Sequence, residues 1–234
     1  MTPQSDTMTI TRLRKKAKVL DERLTRLYGK KEIVGEEDPL DTLIETILSQ
    51  NTTDANSHKA FLALKRNYPR WELMIRERPS RVATIIRSGG LADIKARRII
   101  GALRFIQTER GRLELDFLRG MTPEAADHWL AQIEGVGPKT RGIVLLFSLR
   151  MPAFPVDTHI HRVSKRLGLT GPRVNREAAQ VELARLIDPE EYFNFHINLI
   201  EHGRAVCHAR KPACPKCGVS RLCDFYARTI GSQS

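Results

Sequence analysis

Residues Ile133 to Phe147 read IEGVGPKTRGIVLLF: two glycines around a valine, then a lysine at the head of an apolar run. Glycines just before a helix let main-chain N–H groups approach an anion at the helix's positive end. The spacing argues against a nucleotide phosphate loop. Pro138 stands where a Walker loop requires glycine directly before its lysine. Thr140 stands where a dinucleotide fingerprint requires its third glycine. The stretch therefore reads as two helices joined by a tight glycine hairpin, able to grip a phosphate other than a nucleotide's.

Working outward, Thr122 is placed to cap a helix opening at Pro123, with Glu124 and Asp127 in its early turns. Lys139 to Leu149 reads as the second helix of the pair. Beyond it, Asp157 of VDTHIHRVSKRLGL is placed to cap a third. Asp38 and Pro39 make an N-cap and first-turn pair before Leu40, Leu43, Ile44, Ile47 and Leu48, which share one helical face. That helix runs into SQNTTD, and another follows through Phe61 and Leu64. Near the start, Leu13, Leu20, Leu24 and Leu27 form the buried stripe of a basic helix from Arg12 to a cap at Gly29, while residues 1–11 read as frayed. The middle, about 71–132, is short helical periods broken by RPS, SGGL and MTPE. Within it, SGGLADIKARRIIGAL again sets glycines before a helix that carries a lysine. No alternating run is long enough to anchor a sheet, so the expected class is all-α.

A chain of 234 residues with 41% hydrophobic content has enough material for one domain or two small ones. Its formal net charge of +12 favours a polyanionic partner, nucleic acid before an anionic membrane. No apolar stretch approaches membrane-spanning length and no signal-peptide core opens the chain, so a soluble, cytosolic protein is expected.

All four cysteines, Cys207, Cys214, Cys217 and Cys223, fall in one short segment, spaced C-x6-C-x2-C-x5-C. Disulfides do not suit a cytosolic chain, and structural cysteines would scatter, so the clustering points to a metal. Four thiolates suit zinc, although zinc sites usually use two close cysteine pairs and only one C-x-x-C is present. They also suit an iron–sulfur cluster.

Five motifs in order, LSQNTTD (48–54), IEGVGPKT (133–140), VDTH (156–159), HGRAVC (202–207) and the cysteine spacing, resemble the endonuclease III family of helix-hairpin-helix DNA glycosylases. The resemblance covers about residues 38–225. It implies an all-α, two-lobed fold: a lobe of residues 41–151 containing the helix-hairpin-helix at 123–149, and a lobe joining 12–40 to 152–234 that carries a [4Fe–4S] cluster on the four cysteines of 207–223. It implies double-stranded DNA with damaged bases or abasic sites as partner. It also implies a monomer in the cytoplasm, associated with a prokaryotic nucleoid.

The resemblance further implies that Lys139 attacks the sugar C1′, expels an oxidised pyrimidine and forms a Schiff base, after which β-elimination cuts the strand. An amine attacks carbon only when neutral, and a helix N-terminus in a basic surround disfavours the ammonium form. Asp157, beside its capping role, would stabilise positive charge at C1′ and help deprotonate the lysine. Gly135, Val136, Gly137 and Thr140 would hold DNA phosphate, helped by His159 and by Arg210 and Lys211 of the loop HARKPA (208–213). Gln50 or Asn51, together with Leu91, would fill the gap left by the extruded base. The bland alternatives are a helix C-cap for Asn51 and a core place for Leu91. Asp54 would line the base pocket or cap the next helix. The sequence departs from the family in having Asn51 where glutamine is common, and Glu134 where proline is. Two rivals remain: a monofunctional adenine- or thymine-mismatch glycosylase, and a DNA-binding protein without catalysis.

Overall fold

Proline fixes φ and lacks the N–H that a first helical turn leaves unpaired, so it suits the opening of a helix. The computed structural model describes residues 3–229, and several of its helices open on proline. In chain order they are α1 (Pro3–Tyr28), α2 (Pro39–Ser49), α3 (Asp54–Asn67), α4 (Pro79–Ile85), α5 (Ala92–Arg110), α6 (Pro123–Leu130), α7 (Pro138–Ile143), α8 (Thr158–Leu167), α9 (Arg176–Leu186), α10 (Tyr192–Ala205) and α11 (Asp224–Thr229). No strand occurs among the described residues, so the all-α expectation holds. None of these helices is long and apolar enough to cross a membrane.

The chain divides into two units. One comprises residues up to Val34 together with those from Pro152 onward, and the other runs from Gly35 to Met151. Residues 230–234, the end of the expected second lobe, lie outside the described residues. In the Gly35–Met151 unit, α2 packs on α3, α5 and α7. Asp38 caps α2 by accepting from the N–H groups of Leu40 and Asp41, and Leu43, Ile44, Ile47 and Leu48 are fully buried. In the other unit α10 packs on α1 and α8, and α8 on α11. Leu20, Leu24, Ile160, Val163, Phe195 and Leu199 are buried there.

Three expectations need correction. Helix α1 begins at Pro3, not Arg12; its first turns are polar, but only an internal glycine or proline would break them, and none is present. Leu27, expected on the buried stripe, is half exposed, while Ala17 is buried in the stripe with Leu20 and Leu24. Leu27 lies in the last turn and leans on Gly218, where a Cβ would meet its Cδ1 at 2.9 Å. Finally, Lys139–Leu149 is not one α-helix. Helix α7 ends at Ile143 and a π turn spans Val144–Ser148, with Leu149 N donating to Val144 O at 3.1 Å. The wider turn lets three consecutive residues, Val144, Leu145 and Leu146, all be buried.

Candidate functional site

Thr122 caps α6 by accepting from Ala125 N, and the chain leaves α6 through a turn closed by Val136 N donating to Ile133 O. Gly135 has φ +79, a conformation that favours glycine. Gly137 is ordinary extended backbone and serves as the N-cap of α7; nothing lies within 4 Å of where its Cβ would stand. The first i→i−4 bond of α7 is Arg141 N to Gly137 O, so the N–H groups of Gly137, Lys139 and Thr140 precede it. Val136 and Thr140 have buried side chains, and the Val136 N–H is spent on the turn, so these two residues have little beyond the Thr140 N–H to offer a phosphate. Lys139 is half-buried in the first turn of α7. Among the described residues, no hydrogen bond or ion pair engages its amine.

Helix α5 lies against the other expected DNA-facing segments of the same unit. Arg98 donates to Gln50 Oε1 at 2.7 Å, and Gln50 Nε2 donates to the Gly135 carbonyl at 3.5 Å. A Cβ on Gly135 would fall 2.8 Å from Arg98 Cδ. Gln50 is the C-cap of α2, and Asn51, one residue on, is exposed with φ +53. Asparagine tolerates this left-handed position at a helix end. Leu91 has φ +49, precedes α5 and is 50% exposed, so it is not a core residue. The cap of α3 is Thr53, which accepts from Asn56 N; Asp54 is the exposed first residue of the helix and does not cap it.

Sequence reasoning missed Lys95. It is 1% exposed, and its Nζ donates to the carbonyls of Leu48 at 2.6 Å and Gly89 at 2.7 Å. Burial pushes its ammonium below the ordinary lysine range. The available signal was its register: it shares the buried side of α5 with Ala96, Ile99 and Leu103.

In the other unit, Asp157 caps α8 by accepting from Ile160 N at 2.7 Å through Oδ1. The residue is half-buried. His159 Nδ1 lies 3.1 Å from Arg162 Nη2, and Arg162 also donates to the carbonyls of Gly203 and Cys207, joining VDTH to HGRAVC. Arg210 and Lys211 are exposed in the loop between Cys207 and Cys214. Arg166, also missed from sequence, holds that loop by donating to the carbonyls of His208 and Ala209.

The four cysteines line one cavity with Val163, Leu167, Val206 and His202. Arg166 Nη1 lies 3.3 Å from Cys207 Sγ, and His202 Nε2 lies 3.6 Å from Cys217 Sγ. Burial pushes the thiols of Cys217 and Cys223 up, with Cys207 and Cys214 adding to both shifts. Four thiolates crowded there would need cationic neutralisation, which an iron–sulfur group would supply. Among the described residues no three His, Cys, Asp or Glu converge as ligands of a single metal ion. The shared cavity and the all-sulfur donor set fit a [4Fe–4S] cluster.

A sequence profile described as HhH-GPD superfamily base excision DNA repair protein matches residues 44–189. The chain is 33% identical to endonuclease III of Thermotoga maritima over 193 residues, covering 82% of this chain and 86% of that one. It is 40% identical over 186 residues to a protein of Arabidopsis thaliana provisionally named a DNA glycosylase, covering 79% of this chain and 64% of the relative, a little under two thirds of its length. Among solved structures, it resembles a trapped endonuclease III–DNA covalent intermediate with a TM-score of 0.79 at 28% identity, covering 92% of this chain and 97% of that one. It also resembles a thermostable thymine-DNA glycosylase with a TM-score of 0.75 at 25% identity, covering 92% and 98%.

Proposed function

The chain belongs to the HhH-GPD superfamily of base excision DNA repair proteins, and from that premise we propose that it is a bifunctional DNA glycosylase and apurinic/apyrimidinic lyase acting on oxidised pyrimidines in duplex DNA. The observation that carries this reading is the amine of Lys139, a half-buried residue, engaged by no described partner, two residues past the open face of Gly137. The N–H groups at the start of α7 hold a phosphate there and set the DNA's register without reading bases.

In the proposed reaction Lys139 Nζ attacks C1′ of the extruded nucleotide, and the glycosidic electron pair leaves with the base. Loss of a proton from nitrogen and opening of the sugar ring give a Schiff base between Nζ and C1′. Removal of a C2′ proton then expels the 3′ phosphate and cuts the strand. Asp157 stabilises positive charge at C1′ and accepts the lysine's proton. Its Oδ1 is occupied by the cap to Ile160, which leaves Oδ2 for this work. Cys207, Cys214, Cys217 and Cys223 hold a [4Fe–4S] cluster, which ties off the loop that presents Arg210 and Lys211 to the DNA backbone.

Borohydride trapping on a duplex with an abasic site tests the reading: the wild-type protein forms a covalent adduct and Lys139→Ala does not. Asp157→Asn separates capping from chemistry. Asparagine caps about as well as aspartate, so α8 persists, while base release falls by on the order of 10²-fold or more with duplex affinity kept. The likeness to a thymine-DNA glycosylase favours a second reading, monofunctional mismatch removal. Base release without an adduct would establish that reading, and neither release nor adduct would leave a DNA-binding protein.

A further inference from the structure

Lys95 connects two segments that are far apart in sequence. Its Nζ grips Leu48 O, three residues before Asn51, and Gly89 O, two residues before Leu91. Asn51 and Leu91 are both non-glycine residues in the left-handed region, and both are exposed. Such conformations persist where the surrounding structure over-determines them. A buried ammonium is costly to desolvate, so an unbranched apolar chain would serve better if the position only filled core space. The ammonium adds a compact donor able to bond two carbonyls in different directions at once.

We propose that Lys95 is a positioning residue that holds the SQNTTD and SGGL loops in register, so that Asn51 and Leu91 together form the wedge filling the gap left by an extruded base. This rests on the glycosylase reading and deepens it. Arg98, one turn further along α5, holds Gln50 against the hairpin carbonyl of Gly135. Gln50 is thereby retained within the unit, and Asn51 is the member of the pair left exposed. One face of α5 therefore sets both wedge loops and ties them to the phosphate-binding hairpin.

The test measures dissociation constants for a duplex containing a tetrahydrofuran abasic analogue and for the same duplex intact. The wild-type protein prefers the analogue, because the gap accepts the wedge. Lys95→Met fills the same space without the donors; it keeps intact-duplex affinity within about two-fold and loses about ten-fold or more of the preference. Equal loss on both duplexes, an unchanged preference, or no preference in the wild type would overturn the proposal. Should Lys95→Met fail to fold, Gly89→Ala decides. Its Cβ would stand 3.3 Å from Ala60 Cβ and 4.0 Å from Leu48 O, so α3 and the SGGL turn must part by a few tenths of an ångström at the carbonyls Lys95 grips, with the lysine left in place. About a three-fold loss of preference is expected, and an unchanged preference overturns the idea. Borohydride trapping reads Lys139 independently: a missing adduct beside an intact Lys95 effect would refute the lyase and leave the wedge standing.

Discussion

Asp21 lies on α1, where Asn194 Nδ2 donates to its Oδ1 at 2.7 Å. Burial, helped by the Glu191 carboxylate, still pushes its carboxyl up to about 6, and Lys30, itself paired with Glu191, offsets this only in part. The folded chain therefore holds a proton that the unfolded chain releases between the ordinary aspartate value of 3.8 and about 6. Stability from this group is full below that window and falls as pH rises through it. Asp21→Asn keeps the shape and removes the titration. Its melting temperature is expected to exceed wild type by on the order of 2 °C near neutral pH, with the gain vanishing below about pH 4; a gain independent of pH would refute the account. Residues differ in how plainly sequence announces them. Asp157 is legible because an aspartate before a helix has one local job, and the cap to Ile160 is that job. Lys95 reads in the sequence only as a lysine on a helix. Its partners are main-chain carbonyls 47 and 6 residues away, which leave no side-chain signature.

At the scale of elements, the two hairpin glycines have different reasons to be glycine. Gly135 combines φ +79 with a Cβ position 2.8 Å from Arg98 Cδ, so alanine there strains the turn and displaces the arginine that holds Gln50. Gly137 has neither problem, and its open front leaves room for a phosphate to reach the main chain. Gly135→Ala should therefore lower thermal stability and duplex affinity together. Gly137→Ala replaces a tolerated N-cap with a poor one but meets no clash and no positive φ, so it should cost only about 1 kcal/mol of stability while duplex affinity falls by several-fold. Calorimetry beside fluorescence anisotropy checks the pair, and matching losses of stability in both variants would remove the distinction. The same stretch shows where sequence patterns stop informing. Caps at Asp38, Thr122 and Asp157 are local chemistry and are observed where expected. The π turn after α7 follows from how an unbroken apolar run packs against neighbours, and a period of 3.6 carries no sign of it.

At the scale of the whole molecule, the packing of α1 on α10 joins residues as far apart as Asp21 and Asn194, which no local period encodes. The cysteines point to a metal in the sequence because four soft ligands in one segment have few other uses, and the structure gathers them around one cavity. Their surroundings were not: His202, buried on α10 and pushed down to about 4 by burial, sits between Tyr28 Oη at its Nδ1 and Cys217 Sγ at its Nε2. The cysteine segment thus reaches α1, α8 and α10 of a single unit. A cluster bound there should stabilise that unit in preference to the other, because binding to the folded state alone adds its free energy to folding. Cys214→Ser is expected to lose most of the bound iron and sulfide of the wild-type protein. Amide hydrogen exchange should then quicken in α8, α10 and α11 and stay unchanged in α2 and α5, whose core of Leu43, Ile44, Ile99 and Leu103 is complete without the cysteines. Quickening spread evenly over both units would show that the cluster supports the molecule as one body, and a wild-type protein free of iron and sulfide would remove the cluster altogether.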